Sequence, residues 1–336
     1  MKNQNQNQKQ LTFQIDRTED PAPKLVRRFT TCAGLVLTAV LGQAALGSEN
    51  MAQRPFAYWA DVPANKQIVV GLVYEESESY QIWAAGKQYN INTRSGGENY
   101  GIDINQGYLA VQYGITEKWA ADLEVGATTC GWRAFSPGNQ IKYTTGLMDF
   151  SFGVRYQIFN EALCTNSPWV PTLTFRAGAV LPGTYNENFT YAPGYRSAAI
   201  VPELLLRKHF GWPGLGVYGD ALYRWNRTTG NDNYSIAVGL FQQIKGWELD
   251  VGYKHLQTIS GSDITFVVPD DLSTIIYPRD VREIHDSIQA GFSYTTSKRH
   301  WRYGFQLETV VDGNNSDAKL WVGGSVDIPF GGKKAE

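Results

Sequence analysis

The chain has 336 residues, only 18% of them charged, with 19 Tyr, 10 Trp, 15 Phe and 34 Gly. Its 30 Lys+Arg stand against 32 Asp+Glu, so no basic surplus points to nucleic acid. A mean hydropathy of −0.32 excludes a bundle of membrane helices, but not a barrel in which every second strand residue meets lipid.

Residues 1–23 are polar, and Lys24, Arg27 and Arg28 precede the apolar run FTTCAGLVLTAVLGQAAL at 29–46. A basic start, an apolar middle and small residues near Ala45-Leu46-Gly47 make a secretory signal peptide. Cys32 comes early in that run, so no lipoprotein anchor is expected. We assign 1–48 to an N-terminal extension and signal peptide, and 49–65 to a periplasmic N-terminal segment. Residues 66–330 form an outer-membrane β-barrel, and 331–336 a C-terminal tail.

From Lys66 onward about twelve strand-like runs follow: 66–80, 104–115, 118–131, 146–158, 168–182, 195–208, 213–227, 233–244, 246–260, 283–296, 299–312 and 317–330. Each reaches the roughly 9–11 residues that a tilted strand needs to cross a bilayer. In the second run Leu109, Val111, Tyr113 and Ile115 share a face. In the third, Trp119, Ala121, Leu123, Val125 and Ala127 oppose Asp122 and Glu124. The fourth sets Met148, Phe150, Phe152, Val154, Tyr156 and Ile158 against Asp149, Ser151, Gly153, Arg155 and Gln157. Successive strand side chains leave opposite faces, so each run is apolar on one side and polar on the other. Later runs repeat this, as in Leu173, Phe175, Ala177 and Ala179 against Thr174 and Arg176, or Trp301, Tyr303, Phe305 and Leu307 against Arg302, Gln306 and Glu308. A dozen such faces would need stacked sheets in water, whereas one closed barrel in lipid needs no second layer. The predicted fold is therefore all-β, a transmembrane antiparallel up-and-down barrel, apolar outside and polar within.

Short links at 116–118, 210–213, 245–246 and 297–299 alternate with generally longer ones at 81–103, 132–145, 183–194 and 261–282. Short periplasmic turns and longer external loops are the habit of outer-membrane barrels. Trp119, Trp247 and Trp301 then fall at one membrane interface and Trp225 at the other. The same map puts Cys130 near the outer end of its strand and Cys164 in a periplasmic link. The apolar band of about 25 Å separates them by far more than the about 7 Å of a bridged pair, so both thiols are expected to be free.

Catalytic signals are sparse. His285 and Ser287 invite comparison with outer-membrane phospholipases, but Ile284, Ile288, Ala290 and Phe292 define the outward face, which turns both into the lumen. The other histidines are scattered, with no zinc spacing and no G-x-S-x-G elbow, so neither cofactor nor metal is expected. Asp263, Asp270, Asp271 and Asp280 make the last long loop acidic, which reads as a solvated surface. Function is left to the lumen. Its expected lining is Asp122, Glu124, Asp149, Arg155, Arg176, Glu203, Arg207, Asp220, Arg224, Glu248, Asp250, Lys254, His285, Arg302, Glu308 and Asp327. Charges of both signs either pair to fill a narrow barrel or line a hydrated path.

The stretches VVGLVYEESESYQIWAAGKQYNI (69–91) and GYLAVQYGITEKWAADLEVGA (107–127) resemble bacterial outer-membrane proteins of the phenol meta-pathway transporter-like family. The resemblance implies passage of small hydrophobic or aromatic molecules through the outer membrane. It supplies no catalytic residue. The reading from sequence is a Gram-negative outer-membrane channel passing small solutes by passive diffusion through a charge-lined lumen. Loops, or residues 49–65, would gate it. Its expected partners are the solute, outer-membrane lipid and lipopolysaccharide, and the barrel-assembly machinery. The rival readings are a closed structural or adhesive barrel and a lipid-modifying enzyme.

Overall fold

A strand that is apolar on one face only must find a second environment for the other, and that requirement organises this molecule. The computed structural model describes residues 60–84, 87–90, 102–133, 141–164, 169–187, 192, 194–210, 214–228, 230–263 and 281–332. The leader, residues 49–59, residues 333–336 and the loop acids Asp270, Asp271 and Asp280 lie outside the described residues.

All assigned elements are strands: β1 (Gln67–Ser79), β2 (Gln81–Ala84), β3 (Lys87–Asn90), β4 (Ile102–Gly114), β5 (Trp119–Arg133), β6 (Ile141–Leu147), β7 (Phe150–Phe159) and β8 (Thr172–Leu181). The second half gives β9 (Ala199–His209), β10 (Leu215–Asn226), β11 (Asn233–Ile244), β12 (Trp247–Thr258), β13 (Ile284–Thr295), β14 (Arg302–Asn314), β15 (Ser316–Asp317) and β16 (Leu320–Gly331). β6 and β7 both pair with β5 and act as one strand. The sheet runs β1, β4, β5, β6/β7, then β8 to β14 in order, then β16, which pairs back onto β1. The result is a closed antiparallel barrel of twelve strands. β15, β2 and β3 form a separate small sheet.

The outward face is a continuous apolar belt. On β11 and β12, Val238 and Leu240 lie opposite Tyr253 and Val251, and Val238 and Val251 are about half exposed at 53% and 51%. So large an apolar surface belongs in hydrocarbon, where each such side chain gains roughly 1.5–3 kcal/mol over water. Paired rings edge the belt at the rim that carries the strand termini: Trp119 with Tyr156 at 4.6 Å, and Trp247 with Tyr294 at 4.8 Å. At the opposite rim, the Arg227 guanidinium sits 4.4 Å from the Trp225 ring. Between β11 and β12, Lys245 (φ 50°) and Gly246 (φ 88°) both take positive φ, the geometry a two-residue hairpin needs to match strand twist.

Three features differ from the sequence reading. Residues 81–103, expected as loop, contain β2 and β3, and residues 132–145 contain the end of β5 and most of β6. Met148 does not face outward. It is buried inside with Val73, Tyr108 and Ala110. The reason is a bulge: from Glu124 to Ala127 on β5 is three steps, while their partners Ser151 and Leu147 are four apart. The extra residue lets both Met148 and Asp149 turn inward, which uninterrupted alternation forbids. Cys130 and Cys164 are both free, Cys130 buried within the barrel.

The bulge can be tested in a background lacking Cys130 and Cys164. A spin label on Phe152→Cys should collide freely with oxygen dissolved in the bilayer, and one on Met148→Cys should not. Equal collision at both sites would restore unbroken alternation and remove the bulge.

Candidate functional site: the barrel lumen

The lumen is narrowed at each end by the chain itself. At the terminal rim, residues 60–66 cross from one wall to the other. Lys66 donates its N–H to Gly114 O (2.7 Å) and leads into β1, while Ala60 packs against Leu205, Tyr218 and Phe241 of β9, β10 and β11. β10 stands opposite β1, six strands away in either direction. The far end of this strap is held by side chains. Ala60 O accepts from Thr174 Oγ1 (2.6 Å) and Gln157 Nε2 (3.3 Å). Asp61 O accepts from Arg155 Nη1 (3.4 Å), and the Asp61 carboxylate pairs with Arg207. Gly114 makes room at the near end, since a Cβ there would collide with Ala64 O and Pro63 O.

At the opposite rim the segment after β8 folds inward onto the bulge. Gly183 N donates to Asp149 Oδ1 (2.9 Å), Tyr185 OH to the same oxygen (3.1 Å), and Thr184 Oγ1 accepts from Leu147 N (2.8 Å). Tyr185 is fully buried. Asp149, expected only as lining, is thus the anchor of an in-folded loop, with Arg224 Nη2 3.4 Å from its other oxygen.

Between these closures the inward charges fall into groups. On one wall Asp122 lies between two arginines, Arg155 (Nε, 3.2 Å) and Arg176 (Nη2, 2.7 Å). Arg176 also reaches Glu203 (3.5 Å) and Ser151 Oγ (3.0 Å). Its guanidinium lies over Gly153 and Gly178, where any side chain would clash with it. On the other wall Glu308 accepts from Lys254 Nζ (3.3 Å), Ser287 Oγ (2.8 Å) and Gln289 Nε2 (2.8 Å). Arg302 stands 3.7 Å from Asp327, and Glu248 accepts from Gln243 Nε2 (2.6 Å). Glu124 and Asp220 are buried on the inward face. Asp250 is buried too, and neither of its oxygens has a hydrogen-bond partner. His285 Nδ1 meets Glu283 (3.0 Å) while Ser287 is committed to Glu308, so the two do not share a proton. Among the described residues no His, Cys, Asp and Glu gather into a metal-holding group.

Sequence reasoning missed Glu75. Its carboxylate accepts from Tyr108 OH (2.5 Å), Gln106 Nε2 (2.9 Å) and Gln306 Nε2 (2.9 Å), joining β1 to β4 and β14. Its phase with Val69, Gly71 and Val73, all inward, was the available signal. The strap contacts of Ala60 and Asp61 carry no such signal, because nothing periodic precedes β1.

At the terminal rim, Glu161 ties the strap to the link between β7 and β8. It accepts from His209 N (2.9 Å), meets His209 Nδ1 (2.5 Å) and Lys208 Nζ (3.3 Å), and lies 3.4 Å from Arg207, the residue that also holds Asp61. Desolvation pushes its carboxyl up, but the His209 N–H and ring outweigh this and hold it below the ordinary 4.5. A depressed carboxylate contributes stability that is present above its unfolded value and lost as pH falls through the folded one. The thermal-midpoint gap between the native protein and Glu161→Gln, read by heat-modifiable gel mobility, should therefore shrink from about pH 6 to about pH 3. A constant gap would show that the charge of Glu161 is not what holds this corner.

A comparison by sequence finds no matching family model and no matching curated protein. Comparison by structure does find likenesses. The COG4313 outer membrane channel from Pseudomonas putida F1 is similar with a TM-score of 0.61 at 14% identity, over 84% of this chain and 100% of that one. The CymD monoaromatic hydrocarbon channel (TM-score 0.43, 11% identity, 86% and 95% of the two chains) is more distant. So is the translocator domain of the autotransporter NalP from Neisseria meningitidis (0.42, 13%, 91% and 97%). At such identities the likeness is one of fold, and the fold is that of an outer-membrane β-barrel.

Proposed function

We propose that this protein is a bacterial outer-membrane channel that passes small solutes, hydrophobic or aromatic ones among them, by passive diffusion. It is exported by its N-terminal signal peptide and inserted by the barrel-assembly machinery, with lipopolysaccharide against its outer leaflet. The observation that carries the reading is the pairing of an apolar outer belt with an interior lined by opposed charged walls. Such a surface needs lipid outside, and such an interior retains water and ions. The expected lumen residues act in two ways. Asp122, Arg155, Arg176 and Glu203 form the constricting wall, while Asp149 and Arg207 hold the loop and the strap that narrow the two ends. A solute passes when the strap swings clear at the periplasmic end. The competing reading, a structural barrel, draws on those same two closures.

The test is single-channel conductance of the refolded protein in planar bilayers. Small stable steps are expected, with ion selectivity moving toward cations in Arg155→Gln and toward anions in Asp149→Asn. A correctly folded protein without steps would sink the channel reading in favour of the structural barrel. Asp61→Asn should raise the open probability by about tenfold or more, since a lost charge-assisted contact costs about 1.5–3 kcal/mol. An unchanged open probability in Asp61→Asn would remove the strap from the conducting path.

A further inference from the structure

Most of the inward acids described above are met by an arginine, a lysine, an amide or a hydroxyl. Asp250 is not. It is only 6% exposed, it points inward from β12, and neither carboxylate oxygen has a hydrogen-bond partner or an ion pair among the described residues. An isolated charge held away from water is costly, so such a group either gives up its charge or awaits a counter-charge.

Its surroundings are specific. In register, Asp250 lies between Phe241 of β11 and Gly291 of β13. Its carboxylate leans over Gly291, where a Cβ would stand 2.5 Å from Oδ2. Glu248 points inward two residues along the same strand and is fully buried. The Tyr218 ring lies flat across Gly239 and Gly252, bringing its hydroxyl to the strand that bears Asp250. Phe241 and Tyr218, with Leu205, form the apolar patch against which the strap residue Ala60 packs. One bare carboxylate, a second acid nearby and two aromatic side chains beside an apolar patch suit a soft organic cation. An ammonium group takes hydrogen-bonded contact from the carboxylate and attraction from ring faces, and its hydrocarbon body takes the apolar patch. A metal ion would need more converging oxygens than this wall offers.

We propose that Asp250, with Glu248 and the rings of Phe241 and Tyr218, forms a lumenal station for the ammonium head of an amine-bearing apolar solute. The station rests on the channel reading for access from outside, but its occupancy is measured without any current. The strap end at Ala60 borders it, so a bound amine and the strap compete for the same apolar patch.

The experiment uses 2-phenylethylammonium chloride and its neutral counterpart 2-phenylethanol as probes, titrated calorimetrically into the refolded protein in detergent. The amine should bind and the alcohol should not. Asp250→Asn, isosteric and leaving no partner behind, should weaken amine binding by at least about tenfold. Gly291→Ala, which forces the carboxylate off its resting place, should weaken it as well and serves if the first variant folds poorly. Equal binding of the alcohol, or amine binding untouched in both variants, overturns the station. Potassium conductance of the same preparation separates the two readings. Binding without conductance supports the station and sinks the channel, whereas conductance without binding leaves the channel and sinks the station.

Discussion

In hydrocarbon an unsatisfied backbone amide or carbonyl costs several kcal/mol, so a sheet that enters a membrane must close on itself. Everything else here follows from that closure. The pairing of β16 back onto β1 over twelve consecutive residue pairs leaves no free edge. Once the ring is closed, every residue is committed by parity to lipid or lumen, because a one-residue slip would carry the whole set to the wrong side. The apolar belt and the charged interior are thus two faces of one register. Ring pairs such as Trp119 with Tyr156 fix the height of that register relative to the interface.

Closure also creates the problem that the lumen side chains solve. Arginines turned into a narrow barrel need acceptors, and the wall supplies them across strands: Asp122 of β5 serves Arg155 of β7 and Arg176 of β8 at once. The fit depends on absent side chains as much as on present ones, since Gly153 and Gly178 leave the space in which the Arg176 guanidinium lies. At the bulge the same logic gives a different outcome. Two adjacent residues turn inward, Met148 joins the small apolar cluster with Val73 and Tyr108, and Asp149 is freed to hold the in-folded segment after β8. A local break in the ladder thus becomes the attachment point of a closure.

The strand ladder was legible in the sequence because period two is a strong and redundant signal. Arg176, flanked by Phe175 and Ala177, could point only one way. What was not legible has a common physical cause. Met148 was misplaced because a bulge inserts one residue without any mark in composition. β2 and β3 fall where the sequence predicts loop, because short strands that are not part of the barrel sheet have no lipid face to enforce alternation. The position of Ala60 is invisible to pattern reading, since its contacts with Gln157, Thr174 and Phe241 lie 97 or more residues away in sequence. Partner identity across the lumen is likewise a matter of tilt and stagger, which set who meets whom but leave no trace along a single strand.

The two classes of contact differ in what they permit to move. A barrel strand is held on both sides by ladders whose rupture in lipid would strand many backbone groups at once. Among the described residues, the far end of the strap is held by four side-chain contacts: two to Ala60 O, one to Asp61 O and the Asp61–Arg207 pair. At roughly 0.5–1.5 kcal/mol for each neutral contact and roughly 1.5–3 for each that involves an arginine, these sum to roughly 4–9 kcal/mol, an open population between about one in a thousand and about one in four million. Burial of Ala60 adds little, because its side chain is a single methyl. The wall is therefore fixed on any functional timescale, and the strap is the part that thermal motion or a bound solute can shift. Since the patch beneath Ala60 is built from Leu205, Tyr218 and Phe241, a molecule that prefers that patch gains by displacing the strap. Passage and recognition would then draw on one surface, and the solute that binds best there is also the one that opens its own way.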